Sequence, residues 1–343
     1  MFDALLIVSF GGPEGPDDVI PFLQNVTRGR TIPPERLRVV GEHYLRFGGV
    51  SPINAQCRAL IDRLTVEFAE HHVDLPIYWG NRNWHPLLPD VMQQMRDDGI
   101  RRALAFITSP YSSYSSCRQY LDDIARAREL VGPGAPEVQR LRHYFDHPGF
   151  IEPLSRNVGS ALATVAGRDS ALLYSAHSIP VAMADASDYE DQLREVARLV
   201  TAAAAPGRDW TLVFQSRSGA PGTPWLEPDI GDQLDTIAAA GSRSVVVAPI
   251  GFISDHMEVV FDLDVQAAER AAGLGLEFVR AATVGTAPEF VAMIRELVEE
   301  QTVSPPPPHR ALGRLTRGPY CNPGCCIARE QFSSIHPPPR RLL

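Results

Sequence analysis

The sequence predicts an α/β protein built from two similar parallel β-sheets. Short β-branched and aliphatic runs alternate with helical stretches along the chain, which is the pattern of β-α-β units. At 343 residues the chain exceeds the roughly 250–300 residues at which a single hydrophobic core stops growing, so two domains are expected. Four runs fall in each half, at residues 4–10, 76–80, 103–108 and 138–143, and at residues 171–175, 211–215, 244–249 and 276–280.

The boundaries between these parts are marked by turn and proline residues. Residues 145–150, Phe-Asp-His-Pro-Gly-Phe, contain turn residues and are expected to connect the two halves. Residues 289–300 have a last helical pattern, and the four prolines that follow shortly after exclude a helix there. We therefore predict an N-terminal domain at 1–148, a C-terminal domain at 149–285, a C-terminal helix at 286–303 and a proline-rich tail at 304–343.

Composition and charge exclude several kinds of partner. The formal net charge is −9, which argues against a general nucleic-acid-binding surface. No apolar stretch reaches the roughly 18 residues needed to cross a bilayer, so no integral membrane segment is expected. The first residues lack the basic region and cleavage site of a signal peptide, and we expect a cytoplasmic protein.

The absence of lysine excludes two classes of enzyme. All 32 basic residues other than histidine are arginine, for which a biased genome composition is a sufficient cause. A pyridoxal phosphate enzyme requires a lysine for its Schiff base, and a Walker A loop requires a lysine on the phosphates. Neither chemistry is available to this chain.

A histidine stands where the strand at 171–175 ends. In parallel sheets ligands bind beyond the carboxyl ends of the strands, and His177 lies there, followed by Pro180. A lone histidine is commonly structural. A neutral imidazole at this position could instead accept a proton or bind a divalent metal, because its pKa lies near working pH.

A second group of polar residues follows the strand at 244–249. Ser254 or Asp255 has the character of an N-cap, so a helix is expected to begin there. Asp255, Glu258 and Asp262 would then share one helical face, at spacings i, i+3 and i+7. A solvated acidic face is the simpler interpretation, but the preceding apolar, glycine-containing loop favours a site. A buried Glu258 would have a raised pKa and could exchange protons or bind a cation.

Three of the five cysteines lie close together in the tail. Cys321, Cys325 and Cys326 follow the proline run, where no core would bury them, and metal binding explains them best. Zinc and an iron–sulfur cluster both suit thiolates, and the spacing does not separate them. Cys57 lies in an apparent helix and is interpreted as a small buried apolar residue.

Two motifs together resemble the ferrochelatase family. They are Ala176-His-Ser-Ile-Pro180 and Gly251-Phe-Ile-Ser-Asp-His-Met-Glu258, and they occur in the family's order. The resemblance implies two Rossmann-like domains, a porphyrin cleft between them, and insertion of Fe2+ into the porphyrin. Three further segments are similar to the family: Ser9-Phe-Gly-Gly-Pro13, Gly48-Gly-Val-Ser-Pro52, and Gln215-Ser-Arg-Ser-Gly219 with Pro224-Trp-Leu226 after it.

The resemblance assigns expected roles to particular residues. His177 and Glu258 would take part in porphyrin deprotonation and hold the Fe2+ substrate, and Asp262 would continue a carboxylate path. Phe10 stands where relatives from the Firmicutes have a metal-contacting tyrosine, and it can pack on the ring but cannot coordinate iron. The remaining expected porphyrin contacts are Arg28 and Arg30, as bidentate carboxylate donors, with Tyr44, Ser51 and Tyr120.

The resemblance also implies which group the cysteines bind and which porphyrin is the substrate. Actinobacterial ferrochelatases hold a [2Fe-2S] cluster with one internal cysteine and three near the C-terminus, which implies Cys117 together with Cys321, Cys325 and Cys326. The same lineage favours coproporphyrin III as substrate. We also expect a monomer and a transient contact with the next haem-pathway enzyme, although no sequence segment argues for either. A protoporphyrin IX ferrochelatase, a cobalt chelatase, and a non-catalytic haem carrier or iron–sulfur sensor remain alternatives.

Overall fold

The computed structural model describes residues 1–29, 32–218 and 222–314, together with Cys326. This part of the chain contains two four-stranded sheets that are parallel throughout. All eight predicted strands are present, which confirms the predicted α/β class. The strands are β1 Ala4–Ser9, β2 Ile77–Asn81, β3 Arg102–Ile107, β4 Glu137–Arg140, β5 Ser170–His177, β6 Thr211–Gln215, β7 Ser244–Ala248 and β8 Glu277–Arg280.

The two sheets have the same strand order. The first is ordered β2-β1-β3-β4 and the second β6-β5-β7-β8, so β1 and β5 occupy equivalent interior positions. In the second sheet Tyr174 pairs with Ala248, and His177 pairs with Gln215. The carboxyl ends of β5, β6 and β7 therefore meet at one edge, where a parallel sheet binds its ligands.

Helices cover both faces of the sheets, as parallel strands require. Leu193, Val196 and Val200 of one helix are fully buried at spacings i, i+3 and i+7, which is the apolar stripe of a helix packed on a sheet. The helices are α1 Val19–Val26, α2 Pro34–Leu45, α3 Ile53–Glu70, α4 Leu88–Asp97, α5 Gln119–Val131, α6 Pro148–Thr164, α7 Val181–Asp185, α8 Tyr189–Ala204, α9 Ile230–Ala239, α10 Met257–Val260, α11 Ala268–Gly273 and α12 Pro288–Thr302. Among the residues described, none of the helices combines the length and apolar character needed to span a membrane.

One hydrophobic core joins the two halves. It contains side chains of both sheets, including Leu5 and Tyr174, as well as Phe290 of α12. Helix α12 packs on α6 and on α3 of the first half, where Arg295 Nε donates to Glu67 Oε1 at 2.8 Å. Because the core is continuous, the domain boundaries at residues 148, 285 and 303 remain predictions.

The chain that follows α12 is held against both halves. The guanidinium of Arg142 forms a buried pair with Glu300 and also donates to the carbonyl of Arg310 at 3.0 Å. The Leu312 amide donates to the carbonyl of Asp146 at 2.9 Å. The start of the tail is therefore ordered by specific hydrogen bonds rather than by helix.

Gly251 allows the loop after β7 to pack directly on β5. A Cβ atom at Gly251 would lie 2.7 Å from both Cα and Cβ of Ala176, the residue before His177. These are backbone-proximal atoms that cannot rotate away. A glycine at this position therefore brings the loop beside the end of β5.

We predict that Gly251→Ala lowers the free energy of unfolding by about 1–3 kcal/mol, because the added methyl group must displace the end of β5. Gly159→Ala in α6 is the matched control, since a Cβ there meets no atom within 4 Å. The control should gain roughly 0.5–1 kcal/mol from helix propensity. Chemical denaturation followed by circular dichroism measures both, and equal effects would contradict the packing argument.

Candidate active site

His177 ends β5 and directs one ring nitrogen at Glu258. Its Nδ1 contacts the carbonyl oxygen of Ser178, which can only accept, so Nδ1 carries the proton. Its Nε2 then lies 3.4 Å from Glu258 Oε1. The hydroxyl of Tyr189, the first residue of α8, donates to the His177 carbonyl at 3.0 Å and fixes the backbone.

Glu258 lies in the first turn of α10. His256 caps this short helix, because its Nδ1 accepts from the Glu258 amide at 3.1 Å. The side-chain amide of Gln215, at the end of β6, donates to the Glu258 carbonyl. Glu258 is thus held by groups from the helix itself and from a neighbouring strand end.

The predicted row of three carboxylates is wrong. The helix begins at Met257 rather than at Ser254 or Asp255, and it gives way to a π-helical turn at Asp262–Ala267. Asp255 lies outside the helix, and its carboxylate accepts hydrogen bonds from Arg280 and Thr283. The row fails because the i, i+3, i+7 spacing assumed a continuous α-helix.

Asp262 opens the π-helical turn and accepts a hydrogen bond from the hydroxyl of Ser216. Ser216 has a φ of 63°, a left-handed conformation that is costly for a residue other than glycine. Burial, reinforced by the Glu258 carboxylate, raises the pKa of Asp262 to about 7, although Ser216 opposes the rise. Asp262 can therefore gain and lose a proton near neutral pH.

The pair formed by His177 and Glu258 is ionised. Burial acts to lower the pKa of His177, but the Glu258 carboxylate outweighs it and raises the pKa to about 9. Burial acts to raise the pKa of Glu258, but His177 outweighs it and lowers the pKa to about 2. The predicted rise in the pKa of Glu258 is wrong, because the sequence does not show the imidazole beside it.

The first half of the chain forms the opposite wall of the cleft. Tyr44, near the end of α2, packs on Phe22, and burial together with Glu258 and Asp262 raises the pKa of its phenol. Tyr44 therefore lies near the Glu258 and Asp262 carboxylates, and its contact with the porphyrin stays a prediction. His43 stacks on Phe261 of the second half, with ring centroids 3.9 Å apart.

Further hydrogen bonds and an ion pair cross the cleft. The buried hydroxyl of Tyr111 donates to the Ile250 carbonyl at 2.6 Å, and the Asp255 amide donates to Gln56 Oε1 at 2.9 Å. Both join the loop before α10 to the first half. An exposed salt bridge of 2.9 Å links Arg46 to Glu269.

Phe10 and Tyr120 lie together around an arginine at the edge of the first sheet. The guanidinium carbon of Arg82 is 4.5 Å from the centroid of the Tyr120 ring and 5.8 Å from that of Phe10. Arg82 Nε donates to Asp123 at 2.5 Å. Tyr120 is buried, and burial raises the pKa of its phenol.

The other expected porphyrin contacts differ in exposure. Ser51 is buried, and its amide donates to the Pro13 carbonyl at 2.9 Å. Arg28 is exposed, with Nη2 2.5 Å from Asn25 Oδ1. Arg30 lies outside the described residues.

Two of the four cysteines expected to bind a cluster are described, and both are buried. Cys117 lies in a π-helical turn, Tyr114–Arg118, and its Sγ donates to the Ser113 carbonyl at 3.4 Å. Cys326 is 7% exposed. Cys57 is buried in α3, as predicted for a small apolar residue. Cys321 and Cys325 lie outside the described residues.

Several side chains that contact the site were not identified from the sequence. Ser216 and Gln215 had a detectable signal, because they lie at the carboxyl end of a strand next to β5. The sequence held no signal for Tyr189, His43 or Arg82, because their contacts depend on how the helices pack.

These side chains define a class of site. An imidazole and two carboxylates at the carboxyl ends of neighbouring parallel strands suit an α/β enzyme that exchanges protons or handles a divalent cation. Within the described ranges, no three histidine, cysteine, aspartate or glutamate side chains are grouped so as to hold a metal ion.

The chain belongs to the ferrochelatase family, whose model matches residues 2–302. It is 52% identical to a coproporphyrin III ferrochelatase of Streptomyces coelicolor, over 96% of this chain and 94% of the relative. It is 51% identical to a coproporphyrin III ferrochelatase of Mycolicibacterium smegmatis, over 94% and 99% of the two chains. A ferrochelatase of Rhodopirellula baltica is 52% identical, over 95% and 93%.

The fold also resembles a solved structure. SirB from Bacillus subtilis with Fe3+ superposes with a TM-score of 0.51 and 11% identity, covering 88% of this chain and 98% of SirB. At this identity the likeness establishes the shared fold alone.

We predict that Glu258→Gln lowers the pKa of His177 below its value of about 9, because the Glu258 carboxylate then no longer opposes the effect of burial on the imidazole. NMR titration of the His177 ring signals measures the change. Glu269→Gln, which removes an exposed carboxylate elsewhere in the second half, is the control and should leave the value unchanged. An unshifted His177 pKa in Glu258→Gln would contradict the pairing.

Proposed function

We propose that this protein inserts Fe2+ into coproporphyrin III at the site formed by His177, Glu258 and Asp262. The observation that carries the proposal is the contact between His177 Nε2, at the end of β5, and Glu258 Oε1, in the first turn of α10. Relatives at about half identity that carry the name coproporphyrin III ferrochelatase support it.

The ionisation states suit the proton balance of the reaction. Metal insertion replaces two pyrrole protons of the ring with one Fe2+, so protons must leave as the metal enters. The ionised Glu258 carboxylate can bind Fe2+ or accept a proton, whereas His177 must first release its own proton. Asp262, with a pKa of about 7, can accept a proton from the site and release it to solvent, and can also do the reverse.

The porphyrin carboxylates require local donors, because the protein as a whole is acidic. We assign this role to Arg28 and Arg30, which can bind carboxylates bidentately, and to the hydroxyl groups of Tyr44, Ser51 and Tyr120. Phe10 is assigned to packing on the ring. It lies beside Phe22, with centroids 6.3 Å apart, on the wall that also carries Tyr44.

A second candidate substrate is protoporphyrin IX. The Rhodopirellula baltica relative carries the broader name ferrochelatase at the same identity. Sequence similarity alone therefore does not exclude protoporphyrin IX as the substrate. Coproporphyrin III carries more propionate groups, and the number of hydroxyl and guanidinium donors assigned here favours it.

We predict that the protein consumes coproporphyrin III catalytically when the two are mixed with Fe2+ under anaerobic conditions. The absorbance of the porphyrin ring measures this consumption. His177→Ala and Glu258→Gln should each reduce turnover by about 100-fold or more, the usual contribution of a positioned proton-transfer group. Faster turnover of protoporphyrin IX would reassign the substrate, and a clear preference for Co2+ would indicate a cobalt chelatase. Stoichiometric binding without turnover would indicate a carrier or sensor.

We further propose that Cys117, Cys321, Cys325 and Cys326 hold a [2Fe-2S] cluster. Four thiolates are the ligands such a cluster requires, and the two described members are both buried. Cys117 lines a small recess together with Arg140, Arg142 and His143. Arginines beside Cys117 suit a group of net negative charge. The cluster would fasten the tail to the first half.

We predict that full-length protein purified anaerobically is red-brown and contains iron and acid-labile sulfide in equal amounts. Cys117→Ser and Cys321→Ser should lose the colour and the sulfide, because each removes one ligand. Cys57→Ser is the matched control, since this buried cysteine lies in α3 outside the proposed set, and it should keep the cluster. Colourless protein containing zinc would refute the cluster.

A further inference from the structure

Arg280 holds two carboxylates that lie on either side of Glu258 in the sequence. It is the last residue of β8, and its side chain is 18% exposed. Its Nη1 and Nη2 donate to the two carboxylate oxygens of Asp255 at 3.3 and 3.1 Å. Its Nε and Nη2 donate to Asp264 at 2.5 and 3.0 Å. One guanidinium group therefore bridges two points of the chain.

The segment between these points carries the proposed catalytic carboxylates. Residues 255–264 contain only the four-residue α10 and the first part of the π-helical turn. Because α10 is a single turn and a π-helical turn follows it, the position of its first residues also depends on contacts with the rest of the protein. Arg280 supplies such a contact near both ends, and Thr283 Oγ1 adds one to Asp255 at 3.1 Å.

Arg280 also separates four nearby carboxylates into two groups. Asp255 and Asp264 point to the guanidinium, whereas Glu258 contacts His177 and Asp262 contacts Ser216. Pairing the first two with one positive charge reduces the repulsion on the segment. It also leaves the second two as the acidic groups presented to the cleft.

We propose that Arg280 is a positioning residue for metal insertion, which fixes Glu258 against His177 by holding residues 255–264 near both ends. This inference rests on the proposed function and adds a residue that touches neither the metal nor the porphyrin. A lysine cannot replace it, because an ammonium group is a point charge without the planar fork that binds two carboxylates.

The test compares Arg280→Gln with Arg270→Gln. Arg270 forms a two-contact pair with Asp235 in the same half, but both partners are about half exposed. Arg280→Gln should reduce kcat about 10- to 100-fold, since misplacement of a reacting group by about 1 Å can cost 10²-fold. It should raise the KM for Fe2+ and leave the KM for the porphyrin unchanged.

Two further variants keep the result interpretable. Asp264→Asn removes one of the two contacts and should have a smaller effect in the same direction, even where Arg280→Gln is poorly folded. Arg280→Lys should recover less than half of the lost kcat. Arg270→Gln should match the wild type in kcat and both KM values.

A readout independent of turnover separates this inference from the proposed function. At one fixed pH, the imidazole NMR signals of His177 should shift in Arg280→Gln and Asp264→Asn but not in Arg270→Gln, because Glu258 moves relative to the ring. A wild type without turnover would contradict the proposed function, and the signals would still report positioning. Unshifted signals, or kinetic constants within twofold of the wild type in a folded Arg280→Gln, overturn the inference.

Discussion

The contact between His177 and Glu258 joins the end of β5 to the first turn of α10. Each group ionises because the other is present, since burial alone would neutralise both. The surrounding structure serves to keep the two side chains within 3.4 Å. Tyr189 fixes the backbone of the histidine, and Gln215 fixes that of the glutamate. Removing either charge would leave the other without its ion-pair partner.

The two carboxylates of the site have opposite pKa shifts although they lie four residues apart. Glu258 faces an imidazolium and stays ionised, whereas Asp262 faces a hydroxyl and a negative neighbour and holds its proton until about pH 7. Such separation of pKa values allows one carboxylate to attract a cation while the other exchanges protons. The π-helical turn that begins at Asp262 changes the angular spacing and helps to give the two side chains different surroundings.

The local sequence pattern was sufficient to predict the strands and the position of His177. The apolar run before His177 predicts a buried strand, and His177 stands at its end. The pattern was insufficient to predict the contacts of Asp255 or the pKa of Glu258. The helix was expected to start at Ser254 or Asp255, but Asp255 is drawn away by Arg280, which lies 25 residues further along the chain. The pKa of Glu258 depends on a histidine that is 81 residues earlier in the sequence. A short stretch of sequence around Asp255 and Glu258 contains neither Arg280 nor His177. Such a stretch therefore predicts which residues are present at the site but not their charge states.

The contacts across the cleft differ in strength, and this has a mechanical consequence. Rotating the two sheets apart would break the buried hydrogen bond from Tyr111 to the Ile250 carbonyl, at a cost of about 1–3 kcal/mol for the unsatisfied group. Separating α2 and Arg46 from the second half breaks the stack of His43 on Phe261 and an exposed ion pair worth roughly 0–1 kcal/mol. The contacts that join α2 to the second half are therefore easier to separate than the buried hydrogen bond that holds the loop before α10.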